Sequence, residues 1–267
     1  MFGARTFDRH IGIDYSGAET AESSLKGLRV YLSEDSGEPL EVRYSDACGP
    51  SPRWYWSRRE IAHWLADRLA EEKPTLVGID HGFSFPIEYF KHHHLPLDWE
   101  CFLMDFQWHW PTDEPFTYVD FVRDAVVGNG AARTGNRRWR RLTEMRSRGA
   151  KSVFHFDCQG TVAKSTHAGL PWLLYLRRKL GDRIHFWPFD GWEVPAGKSV
   201  LAEVYPALWN KRFPTSDRDP HQQDAYAVAA WMRESDQDGS LAGFFHPKLD
   251  DLELKIATIE GWILGIP

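Results

Sequence analysis

A chain of 267 residues with 42% hydrophobic and 26% charged side chains has a folded protein's composition, enough for one large α/β domain or a core carrying a substantial insertion. Its net charge of −6 argues against coating nucleic acid non-specifically, and no apolar run is long enough to cross a bilayer, so no membrane partner is expected. Three separated cysteines (Cys48, Cys101, Cys158) form neither a disulfide framework nor a cysteine zinc site, and MFGARTFDRH holds no signal-peptide core, so a reducing cytoplasm is the expected setting.

The first predicted element is the strand His10–Tyr15 (HIGIDY), which ends in Asp14 and a Ser16-Gly17-Ala18 turn. Leu28–Ser33 and Leu40–Tyr44 follow as strands, and the turn-forming residues 34–39 between them suit an antiparallel meander. Ser57 and Glu60 form a capping box for a helix whose Ile61, Trp64, Leu65 and Leu69 share one face, and Lys73-Pro74 stops it. Thr75–Asp80 (TLVGID) reads as a second buried strand ending in an acid.

Residues from about 87 to 160 break this rhythm and read as a helical or irregular insertion with one or two helices. It contains an internal triple histidine (His92, His93, His94), expected to be an exposed loop, and dense aromatics from Trp99 to Tyr118. From Arg133 to Lys151 there are eight Lys and Arg against one acid, Glu144. Trp139, flanked by Arg137, Arg138, Arg140 and Arg141, makes this run, with Arg133, the candidate nucleic-acid contact.

A helix is predicted from about Thr161 to Leu180, then the loop HFWPFDG and the strand Val200–Tyr205, stopped by Pro206. Asp219, Pro220 and Gln222 are N-cap, N1 and N3 signals for a helix running through Trp231. A closing helix covers about 250–264. The expectation is thus a single domain, 1–267, with a mixed sheet: three antiparallel strands, then parallel strands joined by helical crossovers.

Three acids fall where such a sheet brings them together. Asp14 ends the first strand, Asp80 ends the fourth, and Asp224 lies in the first turns of the last core helix, with His221 three residues earlier on the same face. Clustered carboxylates repel unless a cation holds them, and carboxylate oxygens suit Mg²⁺ or Mn²⁺. Asp14, Asp80, Asp224 and His221 are therefore the candidate metal ligands, with His221 alternatively a proton-transfer group. Glu203, in an otherwise apolar strand, needs a partner: a place near the metal, a supporting role behind the ligands, or a buried ion pair.

The motifs HIGIDYSGA, TLVGIDHGFSFP, LAEVYPAL and DPHQQDAYAVAAW together resemble the family called domain of unknown function 429, described as predicted nucleases of the ribonuclease H-like fold. The last motif also resembles the metal-binding helix of RuvC-type Holliday-junction resolvases. By that resemblance His221 and Asp224 match its ligands, Asp14 matches the first-strand Asp, and Asp80 stands where a Glu is often found. The motifs cover most of residues 10–86 and 150–232. The resemblance implies a divalent-metal-dependent nuclease or phosphodiesterase, with DNA or RNA as partner; the 87–150 segment has no counterpart in the resolvases, so substrate choice does not follow from it. Two alternatives stand beside this one. GIDYSGA is also similar to the first phosphate loop of actin-like ATP-using enzymes, which usually need two such domains and a longer chain. The other is a non-catalytic nucleic-acid-binding protein on the same fold.

Overall fold

The computed structural model describes residues 6–35, 37–49, 53–147, 149–156 and 161–267. Arg148 of the basic run and Cys158 lie outside them, as does the Cys48 side chain. In chain order the strands are β1 (Arg9–Asp14), β2 (Arg29–Glu34), β3 (Leu40–Glu41), β4 (Thr75–Asp80), β5 (Ile184–Phe186) and β6 (Ser199–Glu203). The helices are α1 (Tyr44–Cys48), α2 (Arg58–Ala70), α3 (Ile87–His92), α4 (Trp99–His109), α5 (Val119–Arg123), α6 (Leu142–Arg146), α7 (Ala163–Leu180), α8 (Pro220–Gln237), α9 (Leu241–Phe244) and α10 (Asp251–Glu260). No helix among the described residues is long and apolar enough to cross a membrane.

The strands form one mixed sheet in the order β3-β2-β1-β4-β6-β5. β1–β2 and β2–β3 are antiparallel, whereas β1–β4, β4–β6 and β6–β5 are parallel. Strand alternation sends Ile11, Ile13, Val77 and Ile79 to one face, where they pack with α2, α7 and the aromatics Phe85, Phe102 and Phe106. Leu76, Val200 and Ala202 meet Val228, Trp231 and Met232 of α8 on the other face, together with Trp262 and Leu264. The result is a sheet between two helical layers.

The distance between α8 and the sheet is set by glycine. Gly12 and Gly78 are register partners on adjacent strands. A Cβ on Gly12 would stand 2.3 Å from the Ala225 carbonyl oxygen and 2.7 Å from the Ala229 nitrogen, and one on Gly78 2.9 Å from Val228 Cγ1. Side chains at these positions would hold the helix off the sheet.

Both capping signals form as expected. Ser57 and Glu60 cap α2, while Asp219 and Gln222 cap α8 with Pro220 at its first position. Several boundaries move. β3 stops at Glu41 instead of Tyr44, because Trp56 Nε1 donates to the Val42 carbonyl at 2.7 Å, where a ladder partner would be needed. β6 stops at Glu203. α10 stops at Glu260, where Gly261 turns at φ +78°, and Leu264 N–H instead donates to the Glu203 carbonyl at 2.9 Å. Part of the HFWPFDG loop, His185 and Phe186, belongs to the edge strand β5. Residues 87–160 supply four short helices, α3 to α6, among the described residues, and their buried aromatics join the same hydrophobic cluster as the sheet. His92 closes α3, and His93 Nε2 sits 2.9 Å from the Thr134 carbonyl.

Candidate metal centre

Asp14 and Asp80 face each other across the parallel β1–β4 pair as register partners, so their backbones lie about 4.8 Å apart at the carboxyl edge of the sheet. From above, α8 brings His221 and Asp224 to the same edge. His221 Nδ1 lies 2.7 Å from Asp14 Oδ2, and Asn210 Nδ2 donates to Asp224 Oδ1 at 2.9 Å. Asp80 Oδ1 is sealed from solvent and has no hydrogen-bond partner among the described residues.

The framework that fixes these groups is polar and buried. Arg29, the register partner of Asp14 on β2, donates to the N-cap carboxylate of Asp219 at 2.9 Å and to Glu41 at 2.9 Å. Gln222 Nε2 donates to the other Glu41 oxygen at 3.0 Å. The start of α8 is thereby tied to β2 and β3. The loop after β1 is held by Arg58, which is fully buried and makes no ion pair among the described residues. Its guanidinium donates to the carbonyls of Ser16, Ala18 and Glu19 at 3.2, 2.6 and 2.7 Å. Gly17 lies so close to Lys164 of α7 that a Cβ would meet its carbonyl at 2.2 Å.

Electrostatics reflect the crowding. Burial, reinforced by the charges of Asp14, Asp224 and Glu203, holds the Asp80 carboxyl well above the ordinary carboxylate range. Burial also raises Asp14, against the opposing hydrogen bond and charge of His221, and raises Asp224 against Asn210 and His221. The hydrogen bond to Asp14 raises His221, whose side chain is 52% exposed and whose Nε2 edge lies beside Gly27. No group of three or more His, Cys, Asp and Glu side chains among the described residues is placed to hold an ion in this structure. The donor set nonetheless fits a hard divalent cation: oxygen-rich, mutually repelling, and with a buried carboxylate oxygen lacking a partner among the described residues.

Glu203 does not face this centre as a free carboxylate. It is 3% exposed, accepts from Arg141 Nη1 and Nη2 at 2.6 Å each, and takes the Phe83 N–H at 3.0 Å. Of the sequence alternatives for Glu203, the buried ion pair is the one that forms. Arg141 is correspondingly corrected as a nucleic-acid contact. It is 1% exposed, its Nε donates to Glu144 at 2.9 Å, and Nη1 also reaches the Glu260 carbonyl at 3.3 Å. Burial works against its charge, but Glu203 and Glu144 hold the guanidinium pKa above its usual value.

The rest of the basic run is partly consumed too. Arg133 grips Asp105 through two bonds of 2.6 and 2.8 Å, and Arg140 folds back onto the carbonyls of Glu144 and Ala150. Trp139 is half-buried against Phe154 and His92. Arg137 and Arg138 remain exposed, without an ion pair among the described residues.

A narrow pocket with about 30 Å³ of free space opens beside Asp80, lined by Arg141, Glu203, Lys151, Thr161 and Tyr205. Tyr205 is half-buried, and burial together with the charges of Asp80 and Asp224 raises its hydroxyl pKa. The site reading from sequence missed Asn210, Arg29, Arg58 and Tyr205. Tyr205 carried a signal, since it stands two residues past Glu203 at the end of LAEVY; Asn210 lies in an irregular stretch with none.

No protein-family model matches the chain, and comparisons with curated proteins and with solved structures find no match.

Proposed function

We propose that this chain is a divalent-metal-dependent nuclease or phosphodiesterase that hydrolyses phosphodiester bonds of nucleic acid on a ribonuclease H-like sheet. One observation carries the reading: Asp14 and Asp80 end adjacent parallel strands, and the inner oxygen of Asp80 is buried without a partner among the described residues. Ionised, such a pair is unfavourable unless a cation occupies it. The antiparallel meander followed by parallel strands supports the fold assignment, as do the four motifs that resemble the predicted-nuclease family.

Asp14, Asp80 and Asp224 are the residues to hold Mg²⁺ or Mn²⁺, which when bound would supply an activated water and charge stabilisation at the leaving oxygen. Asp14 turns Oδ2 to His221, so Oδ1 is the oxygen that would meet the ion. Its hydrogen bond favours the histidine tautomer with the proton on Nδ1, so Nε2 is available to move a proton at the reacting water or leaving group. Asn210 aims the Asp224 carboxylate by holding Oδ1, and Arg29 keeps the α8 terminus, and with it His221, over Asp14.

The test is Mn²⁺-dependent cleavage of labelled oligonucleotides by Asp14→Asn, Asp80→Asn and Asp224→Asn, with thermal unfolding to show that each variant folds. Each is expected to lose cleavage, and His221→Ala to lose about 10²–10⁴-fold in rate. Wild-type rates in all three Asp variants would sink the reading.

A further inference from the structure

A second depression, sharing no lining residue with the pocket at Asp80, borders Asp224. It has about 310 Å³ of free space and is lined by Asn210, Lys211, Thr215, Arg218, Gln223 and Asp224. Neither cation in it forms an ion pair among the described residues. Lys211 is exposed. Arg218 is pinned: Nε donates to Gln223 Oε1 at 2.8 Å, Nη2 reaches the Pro214 carbonyl, and the guanidinium lies 3.6 Å from the centroid of the Tyr226 ring. In a chain of net charge −6 whose surface arginines are mostly paired with acids, two unpaired cations beside a metal-ligand candidate are poised for an external anion.

The pocket at Asp80 has a matching group. Lys151 lines it, is exposed, and forms no ion pair among the described residues. Asp80 and Asp224 lie close enough to feel each other's charge, so Lys151 at the Asp80 pocket and Lys211 with Arg218 at the Asp224 depression border one acidic centre at two separate places. A small phosphate ester would engage that centre alone. Cations at two separate places beside it answer a polyanion with more than one phosphate.

We propose that Lys211 with Arg218 at the Asp224 depression, and Lys151 at the Asp80 pocket, are phosphate subsites for a polynucleotide strand that crosses the acidic centre and is cut internally. This rests on the phosphodiester-hydrolysing reading above and adds the strand's path to it. The path differs from the one the basic run suggested, because Arg133, Arg140 and Arg141 are engaged within the protein.

The experiment uses the full chain and a fluorescein-labelled single-stranded oligonucleotide, with Ca²⁺ replacing Mn²⁺ to suppress cleavage, and reads affinity by anisotropy across a salt series. Lys211→Glu and Lys151→Glu are each expected to weaken binding about tenfold or more and to flatten the log K against log salt slope by about 0.7 per lost phosphate contact. An oligonucleotide blocked at both ends should still be cut. Unchanged affinity and slope in both variants, with the loss appearing instead in Arg137→Glu and Arg138→Glu, would overturn the proposal, as would cleavage only from an open end. Hydrolysis of bis(p-nitrophenyl) phosphate by the wild type with Mn²⁺ reports the reaction separately. If the small diester is cleaved while the lysine variants bind normally, the subsites fail and the hydrolytic reading stands. If neither it nor the oligonucleotide is cut while the lysine variants lose affinity, the strand path stands and the hydrolytic reading fails.

Discussion

Replacing Arg141 by Met tests whether this arginine is a structural cation or a surface contact. The guanidinium is 1% exposed and joins Glu203 on β6 to Glu144 on α6, while reaching the Glu260 carbonyl at the end of α10. Met fills most of the volume but leaves two carboxylates buried without their cation, and breaking one partner of such a pair costs about 3–5 kcal/mol. At about 2–4 °C per kcal/mol for a chain slightly longer than 150–250 residues, the midpoint of thermal unfolding should fall by roughly 6–20 °C. Urea unfolding gives the free energy directly. Adding Glu203→Gln and Glu144→Gln to Arg141→Met should recover part of the loss, because no unpaired charge then remains buried. A change below about 1 kcal/mol for Arg141→Met, accompanied by weaker oligonucleotide binding, would refute the reasoning and return Arg141 to the surface.

Three further outcomes follow from the same geometry. Gly12→Ala drives a Cβ to within 2.3 Å of the Ala225 carbonyl; the overpacking should cost about 1–3 kcal/mol in urea unfolding and lower cleavage along with stability, since α8 carries His221 and Asp224. Asp80→Asn removes a buried, repelled carboxylate, so in EDTA its melting temperature should rise by a few degrees, about 1 kcal/mol, while Mn²⁺-dependent stabilisation disappears; a lower melting temperature in EDTA would count against the cluster. Asp236 is buried, which opposes its charge, yet the His10 ring at 3.1 Å and the N–H groups of Thr6 and Phe7 hold its carboxyl below the ordinary range. Its contribution is therefore full above the unfolded value near pH 4 and is lost as pH falls through the lower folded value. Asp236→Asn should thus cost about 1.5–3 kcal/mol near neutral pH and progressively less below pH 4, read as the gap between the two denaturation curves across a pH series.

The parts of the fold that local chemistry decides were legible in advance. Short apolar runs and their terminal acids placed β1 and β4, and the caps at Ser57 and Asp219 fixed the starts of α2 and α8. Asp14, Asp80, His221 and Asp224 converge because strand ends and a shared helix face follow directly from such signals. What failed depended on partners distant in sequence. The basic run looked free because its acids lie elsewhere: Asp105 is 28 residues before Arg133, and Glu203 is 62 after Arg141. β3 looked longer because nothing local announces that Trp56 takes the Val42 carbonyl. β5 escaped notice because three residues give too short a pattern to separate from a loop.

The bond between His221 and Asp14 joins residues 207 positions apart, and the Asp236 carboxylate ties the same helix to Phe7 across 229. Chains fold from their N-terminal end as they emerge during synthesis, so Asp14 and Asp80 are made long before the helix that completes their site. A product terminated before α8 lacks His221 and Asp224 altogether and carries only half of the constellation. On the proposed reading, no hydrolytic site is complete until synthesis has passed α8.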